Sequence, residues 1–396
     1  MSRVAVICGY SLPTGMAATV RIMAYSKGMV QNGCNVIVYS FNPTSLESTG
    51  RCDNSGEFEG VLYRYFYRKK RVKNKILHII ELLWSFILSI FHLYLESKKE
   101  KFDSIILSDD NPVILWFYTR LSRLLNTKCF FIFDEYPYPI RVKLRSEIGC
   151  LKAVLYKLVL SDVTGYIGMT ENLINYYNDL QLKPSIVLTS ITDVERFPPK
   201  INLARGFEER FVNIVYMGNM ELSKDNVDNI IRAFSVFAER FPESILSLYG
   251  RPSARDKALL NKLVLDKGLG QCVFFDSVEF SQVPKILRDA QILVSSQPRT
   301  KRAEGGFPTK LGEYLCSGTP TLVTDVGEIS RYVEDGKNVF LVEPEDHVKF
   351  ASKLIWIIEN YRFAKDVGIR GRKLVLDEYS SNAAGKKMLT FINDTQ

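Results

Sequence analysis

Short apolar runs alternate with helix-like segments along this chain, and the whole pattern occurs twice. In the first half, strands are predicted at 4–8, 35–40, 61–67, 104–109, 129–134, 163–169 and 185–190. Helices are predicted between them near 17–32, 75–100, 112–126, 147–161 and 171–180. In the second half, strands are predicted at 212–218, 244–250, 272–276, 291–296, 319–324 and 338–343. This alternation is typical of parallel sheets covered by helices on both faces. The sequence therefore predicts an α/β chain with two doubly wound, Rossmann-like domains that face each other across a cleft.

A polar stretch separates the two halves. The segment "RFPPKINLARGFEERF" contains two prolines and has no clear periodicity, which is typical of a linker. A length of 396 residues also suits two domains. We predict a first domain at 1–197, a linker at 198–211, a second domain at 212–376, and a C-terminal helix within 377–396 that packs back on the first domain.

Composition excludes several classes of protein. Apolar residues make up 46% and charged residues 24% of the chain, as in ordinary soluble domains. The net charge of 52 − 44 = +8 is mild and does not predict nucleic-acid binding. Seven scattered cysteines without a CxxC pair favour a reducing cytoplasm over a disulfide framework or a zinc site. The first residues, "MSRVAVICGY", predict a strand and not a signal peptide. The three histidines are not spaced as metal ligands.

One segment leaves three interpretations open. Six basic residues occur within "RKKRVKNK", namely Arg68, Lys69, Lys70, Arg71, Lys73 and Lys75, and about 20 mostly apolar residues follow. The segment is a buried crossover helix, a helix that also contacts an anionic membrane surface, or a true membrane span. Its polar residues His78, Glu81, Ser85, Ser89 and His92 recur at helical spacing and predict one polar stripe. Its place between two predicted strands argues against a span.

The stretch "GGFPTKLGEYLCSGTP" has the composition of an anion-binding helix start. A helix is predicted to begin near Pro308 and to be followed by a buried strand, "PTLVTD". Free backbone N–H groups and the helix dipole attract phosphate at such a start. Gly305 and Gly306 allow a ligand to approach the backbone. Lys310 would add a positive charge and Glu313 a carboxylate. The alternative is a plain connection from loop to helix to strand.

A second stretch, "VYMGNMELSKDNVDNIIRAF", has a related pattern. A buried strand ends at Gly218, and Lys224 precedes a helix. A lysine in this position would neutralise a phosphate, or it would be an ordinary surface residue.

The two stretches, about 85 residues apart, resemble the donor half of the family-4 retaining glycosyltransferases of the GT-B fold. "YMGN" followed by Lys224 is similar to the family's first motif, and "GGFPTKLGEYLCSGTPTLVTDVG" is similar to its second. "LYG" (248–250), "VFFDSVEFSQVPKILRDAQILV" and "TDVERF" also resemble that family. The resemblance is strong from 186 to 345 and weak before that.

The resemblance implies transfer of a sugar from a UDP- or GDP-linked donor with retention and without an obligatory metal. The implied donor-binding residues are Gly218, Asn219, Lys224, Gly250, Gly305, Gly306, Phe307, Pro308, Thr309, Lys310 and Glu313. The implied catalytic residues are Lys224, Glu304, Asp134 and Glu135, and the implied acceptor-side residues are Gly15 and Tyr136. The acceptor would be a saccharide, lipid-linked if the protein is peripheral on the inner face of a membrane.

Three departures from the family keep a second class open. Asn219 stands where the family has an arginine. The first of two family glutamates aligns with Gly305, with Glu304 one residue earlier. "FDEYPYP" stands where many relatives have a histidine, and Asp134 and Glu135 there would otherwise be a solvated turn. A non-catalytic binding or scaffold protein is therefore the alternative. A sugar-nucleotide epimerase would need a clear acid/base set, and the missing GxGxxG argues against a dehydrogenase.

Overall fold

The computed structural model describes residues 2–13, 17–41, 54–67, 74–141, 147–189, 191–198 and 211–395. The chain divides into two compact units. The first unit is Met1–Ile191 together with Ser380–Gln396, and the second is Thr192–Tyr379. Each unit is built on a largely parallel sheet, so the α/β prediction is confirmed.

The described part of the first unit contains an eight-stranded sheet. Its strands are β1 (Arg3–Cys8), β2 (Asn35–Ser40), β3 (Ser55–Phe58), β4 (Val61–Tyr65), β5 (Ser104–Ser108), β6 (Lys128–Phe133), β7 (Gly165–Gly168) and β8 (Ser185–Val187). They lie in the order β3-β4-β2-β1-β5-β6-β7-β8, and only β3 runs antiparallel to its neighbour. The sequence did not predict β3, because this short edge strand is half exposed and has no apolar run.

The helices of the first unit lie on opposite faces of this sheet. Those before the second unit are α1 (Ala17–Gln31), α2 (Lys75–Lys99), α3 (Pro112–Leu124), α4 (Tyr138–Arg141), α5 (Cys150–Leu160) and α6 (Glu171–Leu180). Helix α1 connects β1 to β2, so the chain moves toward the β3 edge of the sheet. Helices α2, α3 and α5 precede β5, β6 and β7, so the chain there moves toward the β8 edge. Because such crossovers are right-handed, α2, α3 and α5 share one face and α1 lies on the opposite face.

Helix α2 is a crossover helix, but the expectation that it is buried is wrong. Only Ser85, Ser89, Leu93 and Ser97 are buried along its length. Ser85 donates to the Phe41 carbonyl at 2.8 Å, and the Ser89 hydroxyl lies 2.6 Å from that of Tyr118. The polar stripe therefore faces the protein and the apolar side faces outward. The basic run before the helix lies outside the described residues, except Lys75.

The second unit contains a six-stranded parallel sheet in its described part. Its strands are β9 (Asn213–Met217), β10 (Ile245–Tyr249), β11 (Val273–Asp276), β12 (Ile292–Ser295), β13 (Thr321–Thr324) and β14 (Phe340–Val342). They lie in the order β11-β10-β9-β12-β13-β14. All the predicted strands of both halves are present, and all but β2 have shifted ends.

Nine helices cover this second sheet within the described residues. They are α7 (Leu222–Asp225), α8 (Val227–Arg240), α9 (Ala254–Asp266), α10 (Val283–Asp289), α11 (Lys301–Gly305), α12 (Thr309–Ser317), α13 (Ile329–Tyr332), α14 (His347–Glu359) and α15 (Tyr361–Leu374). The buried face of α8 is mostly apolar and includes Ile230, Phe234 and Phe237, which are all fully buried. This core holds the strand ends that carry the loops of the site.

The segment before the predicted linker belongs to the second unit, which corrects the predicted boundary at 197. Phe197 is fully buried, and its carbonyl accepts a hydrogen bond from Arg372 at 2.6 Å. Arg288 donates to the Pro198 carbonyl at 3.1 Å. These contacts hold 192–198 on the second unit, although the sequence assigned 192–197 to the first.

The last helix, α16 (Ser381–Asp394), belongs to the first unit and packs on α1. Gly28 of α1 and Gly385 of α16 let the two backbones touch. A Cβ atom on Gly28 would overlap the Ser381 carbonyl, and one on Gly385 would overlap the Gly28 backbone. Close backbone approach therefore holds the end of the chain in the first unit.

We predict that Gly28→Ala lowers the free energy of unfolding by about 1–3 kcal/mol, because the added methyl group must push α16 away from α1. Gly149→Ala is the control, since its Cβ atom would meet nothing within 4 Å. Urea unfolding of both variants measures the difference. Equal stability of the two variants would show that α16 is not packed on α1 in this way.

Candidate functional site

The strand order of the second sheet identifies a ligand crevice. From β9 the chain adds β10 and β11 toward one edge of the sheet. It then returns to the other side of β9 and adds β12, β13 and β14 toward the opposite edge. The strand order therefore reverses between β9 and β12. In open α/β sheets, ligands bind at this reversal, beyond the carboxyl ends of the strands. Gly218 follows β9, and the loop that leads to α11 follows β12. The two motifs found in the sequence therefore flank this crevice.

Gly218 and Gly250 form a close backbone crossing at the carboxyl ends of β9 and β10. The Gly218 N–H donates to the Tyr249 carbonyl at 2.9 Å. Gly250 has a φ of +156°, and a Cβ atom there would overlap the Gly218 carbonyl oxygen. A Cβ atom on Gly218 would lie 2.6 Å from Lys310 Nζ. Position 250 therefore requires glycine, and a side chain at position 218 would displace the ends of Tyr216 and Lys310.

A buried ion pair joins the two sequence motifs. Lys310 Nζ lies 2.6 Å from Asp225 Oδ1 and donates to the Tyr216 hydroxyl at 3.1 Å. Asp225 is only 2% exposed. Burial opposes ionisation of Asp225, but the charge and hydrogen bond of Lys310 and the charge of Lys224 outweigh it and lower its pKa. The predicted phosphate contact of Lys310 is thus revised, because its charge is balanced by Asp225.

The helix start predicted near Pro308 is confirmed. Pro308 is the N-cap residue, α12 begins at Thr309, and Gly318 ends it with a φ of +75°. Thr309 is exposed at the first helical position. Phe307 is 6% exposed and packs edge-on against Tyr332 with ring centroids 5.7 Å apart. Its side chain therefore supports the loop, and the first turn of α12 is what remains open to an anion.

Glu313 is held by an arginine that the sequence did not identify. Arg196 Nη1 donates to Glu313 Oε1 at 2.6 Å. The Arg196 guanidinium stacks on Phe280, 3.6 Å from the ring centroid, and donates to the Phe280 carbonyl at 3.2 Å. Glu313 is about a quarter exposed. The "TDVERF" segment thus orients the carboxylate on α12, and its resemblance to the family was the only sequence sign of this role.

The remaining donor-side residues lie around this centre. Lys224 is half-buried in α7 next to Asp225, and Asn219 is exposed directly after Gly218. Glu304 lies on α11 and pairs with Lys301 at 2.9 Å, with both side chains nearly half exposed. Gly305 ends α11.

The structure adds Gly327, which the sequence did not single out. It has a φ of +61°, and a Cβ atom there would overlap the Ala303 carbonyl. The turn at Gly327 therefore packs against α11, the helix that carries Glu304. Within the described residues, no group of His, Cys, Asp and Glu is arranged to hold a metal ion.

In the first unit, Asp134 is a paired residue and not part of a solvated turn. Asp134 follows β6, and its Oδ1 lies 2.8 Å from Nη2 of Arg21, which is 4% exposed. The strand order reverses between β1 and β5, next to β6. Asp134 and the partly buried Glu135 therefore lie near a second carboxyl-end crevice. The sequence did not single out Asp109, which directly follows β5 at the same edge.

The two acceptor-side expectations have different outcomes. Tyr136 is 3% exposed and packs edge-on against Tyr176, with ring centroids 5.2 Å apart. Its ring is part of the core, which corrects the expectation that it contacts an acceptor. Gly15 lies outside the described residues.

We predict that Lys310→Met destabilises the second unit by about 3–5 kcal/mol, because Asp225 would stay buried without its partner. Since the pKa of Asp225 is lowered, the stabilisation is fully present above its ordinary value of 3.8 and is lost as the pH falls through the folded value. The penalty in the variant should shrink in acid. Chemical unfolding between neutral and acid pH measures both effects.

The control for this prediction is Lys301→Met, which breaks an ion pair whose side chains are both nearly half exposed. It should change the free energy of unfolding by about 0–1 kcal/mol. Equal losses in the two variants would show that the Lys310–Asp225 pair does not hold the motifs together.

Sequence comparison shows that the region around this site is similar to a known domain family. Residues 212–360 match the family model described as "Glycosyl transferases group 1". The matched region contains β9 to β14 and thus both donor-side motifs.

Two curated proteins match part of the chain. Poly(ribitol-phosphate) alpha-N-acetylglucosaminyltransferase of Staphylococcus aureus is 26% identical over 169 residues, which are 42% of this chain and 32% of that protein. Mannosylfructose-phosphate synthase of Agrobacterium fabrum is 34% identical over 148 residues, which are 36% of this chain and 31% of that protein. The chain therefore spans about a third of the length of the curated relatives it matches.

Solved structures share the fold along almost the whole chain. Sucrose-phosphate synthase from Thermosynechococcus elongatus superposes with a TM-score of 0.74 at 15% identity and covers 99% of this chain and 98% of its own. HepE of Anabaena, solved in complex with UDP and glucose, gives a TM-score of 0.70 at 11% identity over 99% of this chain and 100% of its own. Residues 212–360 are therefore similar to the group 1 glycosyltransferase domains, and the chain shares the GT-B fold of these solved structures.

Proposed function

We propose that this protein is a retaining glycosyltransferase that moves a sugar from a UDP- or GDP-linked donor to a hydroxyl of a saccharide acceptor, in glycan or surface-polysaccharide assembly. The observation that carries the proposal is the Lys310–Asp225 ion pair, which holds the Gly218 turn against the start of α12 at the strand-order reversal. The matched family and the UDP bound by the Anabaena neighbour support it.

The donor's diphosphate would bind at the first turn of α12. As the bond between the sugar's anomeric carbon and the diphosphate oxygen breaks, negative charge grows on the diphosphate. Preorganised positive groups aimed at that charge are the main route to acceleration. The N–H groups of Thr309 and Lys310 and the Lys224 ammonium would supply them. Since Asp225 balances the Lys310 charge, Lys224 is the principal cation in this proposal.

Glu313 would fix the nucleoside by accepting hydrogen bonds from the ribose hydroxyls. Its ion pair with Arg196 and the stack of Arg196 on Phe280 hold the carboxylate in one orientation before the donor arrives. Such preorganisation lowers the cost of ordering the site on binding. Glu304, on helix α11 next to the Gly327 turn, would bind hydroxyls of the transferred sugar.

The first unit would bind the acceptor at the carboxyl edge of its own sheet. Asp134 is fixed by Arg21, which suits it to accept a hydrogen bond from an acceptor hydroxyl in a defined place. A new bond then forms between the acceptor oxygen and the anomeric carbon. The proton of that hydroxyl passes to a carboxylate, Asp134 or Glu135.

A second candidate is a GT-B-fold protein that binds a nucleotide sugar without turnover. Two observations favour it. Asn219 replaces the arginine expected after Gly218, and Glu304 is engaged with Lys301 on the partly exposed helix α11. Release of nucleoside diphosphate from UDP- and GDP-sugars distinguishes the two, because only the enzyme produces it repeatedly.

We predict that Lys224→Ala and Glu313→Ala each lower kcat/KM for the donor by about 30- to 1000-fold, since each removes a charged contact to the departing nucleotide. Steady-state kinetics with the donor that gives the largest thermal shift measures the effect. Lys262→Ala removes an exposed lysine from α9 and should leave kcat/KM unchanged. If both site variants turn over like the wild type, Lys224 and Glu313 do not bind the donor.

For the acceptor side, we predict that Asp134→Asn and Glu135→Gln, made separately, lower activity in at least one case by about 10²–10⁴-fold while donor binding is kept. The reason is the loss of a carboxylate that binds or deprotonates the acceptor hydroxyl. Acceptor kinetics and nucleotide-induced thermal shifts provide the two measurements. Full activity of both variants with an unchanged pH profile would exclude the two carboxylates from the reaction.

A further inference from the structure

Helix α2 presents an unusual apolar surface to the outside of the first unit. It is long and apolar enough to cross a membrane by length and composition, with a mean hydropathy of 1.9, yet only 17% of that stretch is buried. Ile80, Trp84, Ile87 and Phe91 recur at helical spacing on one side and are all more than half exposed. Serines form the buried side of the same helix. This arrangement is the reverse of an ordinary surface helix, which buries its apolar side.

Helices α3 and α5 extend this surface, because right-handed crossovers place them on the same face of the sheet as α2. Helix α3 packs between α2 and α5. Phe86 of α2 contacts Phe117 of α3 at a centroid distance of 5.4 Å, and Phe117 contacts Trp116 at 4.9 Å. On α5, Leu151 and Val154 are 77% and 62% exposed. We call the exposed apolar side chains of α2, α3 and α5 the three-helix face.

Basic side chains lie on all three helices of the three-helix face. Lys75 is the first residue of α2 and ends a run of six basic residues in the sequence. Lys157 is exposed on α5, among the apolar residues of that helix. The Arg120 guanidinium of α3 lies 5.9 Å from the Trp116 ring centroid. Apolar groups with Trp and Phe, flanked by Lys and Arg, match the chemistry of the boundary between anionic head groups and acyl chains.

The fold argues against two alternatives to contact with a membrane surface, namely a membrane span and a dimer with a second copy of the chain. Strands β4 and β5, before and after α2, belong to one sheet, and Ser85 and Ser89 bond to residues of the same unit. Both ends of α2 therefore stay on one side of a bilayer, and α2 does not span it. A second copy of the chain would bring the basic flanks of two faces together, and like charges in contact oppose such a dimer.

We propose that the three-helix face docks the protein on an anionic lipid bilayer, with α2, α3 and α5 lying in the plane of the interface. The protein would thus be peripheral on the inner, cytoplasmic face of the membrane. Monomeric soluble proteins rarely expose contiguous apolar patches beyond a few hundred Å², and the bilayer accounts for this one. The proposal implies a lipid-linked saccharide as the acceptor, and in that respect it rests on the proposed function. The docking on a bilayer does not depend on the proposed function.

The test uses tryptophan fluorescence of the full chain with vesicles. Two of the three tryptophans, Trp84 and Trp116, lie on the three-helix face, and Trp356→Phe removes the third. Vesicles of phosphatidylcholine and phosphatidylglycerol should shift the emission to the blue, and brominated acyl chains should quench it. Salt should weaken binding, because exposed charges are screened within about 8–10 Å. Ile80→Glu with Ile87→Glu should weaken binding at least about tenfold.

The matched control is Leu265→Glu, which changes a 74% exposed leucine on α9 of the second unit and should bind vesicles like the wild type. Thermal shifts with UDP and GDP, measured on the same variants, report the donor site separately. Three outcomes would overturn the proposal: no binding to anionic vesicles at low salt, equal binding of the doubly substituted variant, or a dimer in vesicle-free solution that the same substitutions dissociate. None of these outcomes would change the nucleotide thermal shift.

Discussion

The ion pair between Lys310 and Asp225 is the contact on which the proposed donor site depends. It connects the first turn of α12 to the loop after β9, which are 85 residues apart in the chain. Lys310 Nζ also fills the space that a side chain at position 218 would need. Breaking one partner would leave a buried charge without compensation, which is far more costly than losing a surface pair. The pair therefore makes the two motifs one structural unit, with Lys224 adjacent to Asp225 in the chain.

Strand order determines where chemistry is placed in both units. In each sheet the order reverses beside the first strand of the unit, and the loops beyond the carboxyl ends carry the candidate residues. The second unit places Gly218, Lys224 and the start of α12 at its reversal. The first unit places Asp134, held by Arg21, next to its own. The same crossovers that create these crevices also gather α2, α3 and α5 on one face, so the proposed membrane surface and the acceptor edge belong to one scaffold.

The sequence predicted much of this fold and part of the site. Apolar periodicity located the long helices of the first half and all strands except β3, whose residues are too few and too exposed to form a pattern. Glycine and proline placement predicted the start of α12 and the turn after β9. The ion pairs of Lys310, Glu313 and Asp134 could not be predicted, because the partner of each residue is distant in sequence. The sequence left the orientation of α2 open, because its polar stripe fits a buried crossover helix as well as a helix whose apolar side faces a membrane surface.

A nucleoside diphosphate is expected to bind at the strand-order reversal of the second sheet, against the first turn of α12. A crystal structure of the protein soaked with UDP or GDP is the decisive measurement. We expect diphosphate oxygens within about 3 Å of the Thr309 backbone N–H and the Lys224 ammonium, and ribose hydroxyls on Glu313 while Arg196 keeps its ion pair. A nucleotide bound elsewhere in the chain, or a diphosphate that contacts neither Thr309 nor Lys224, would exclude this donor site.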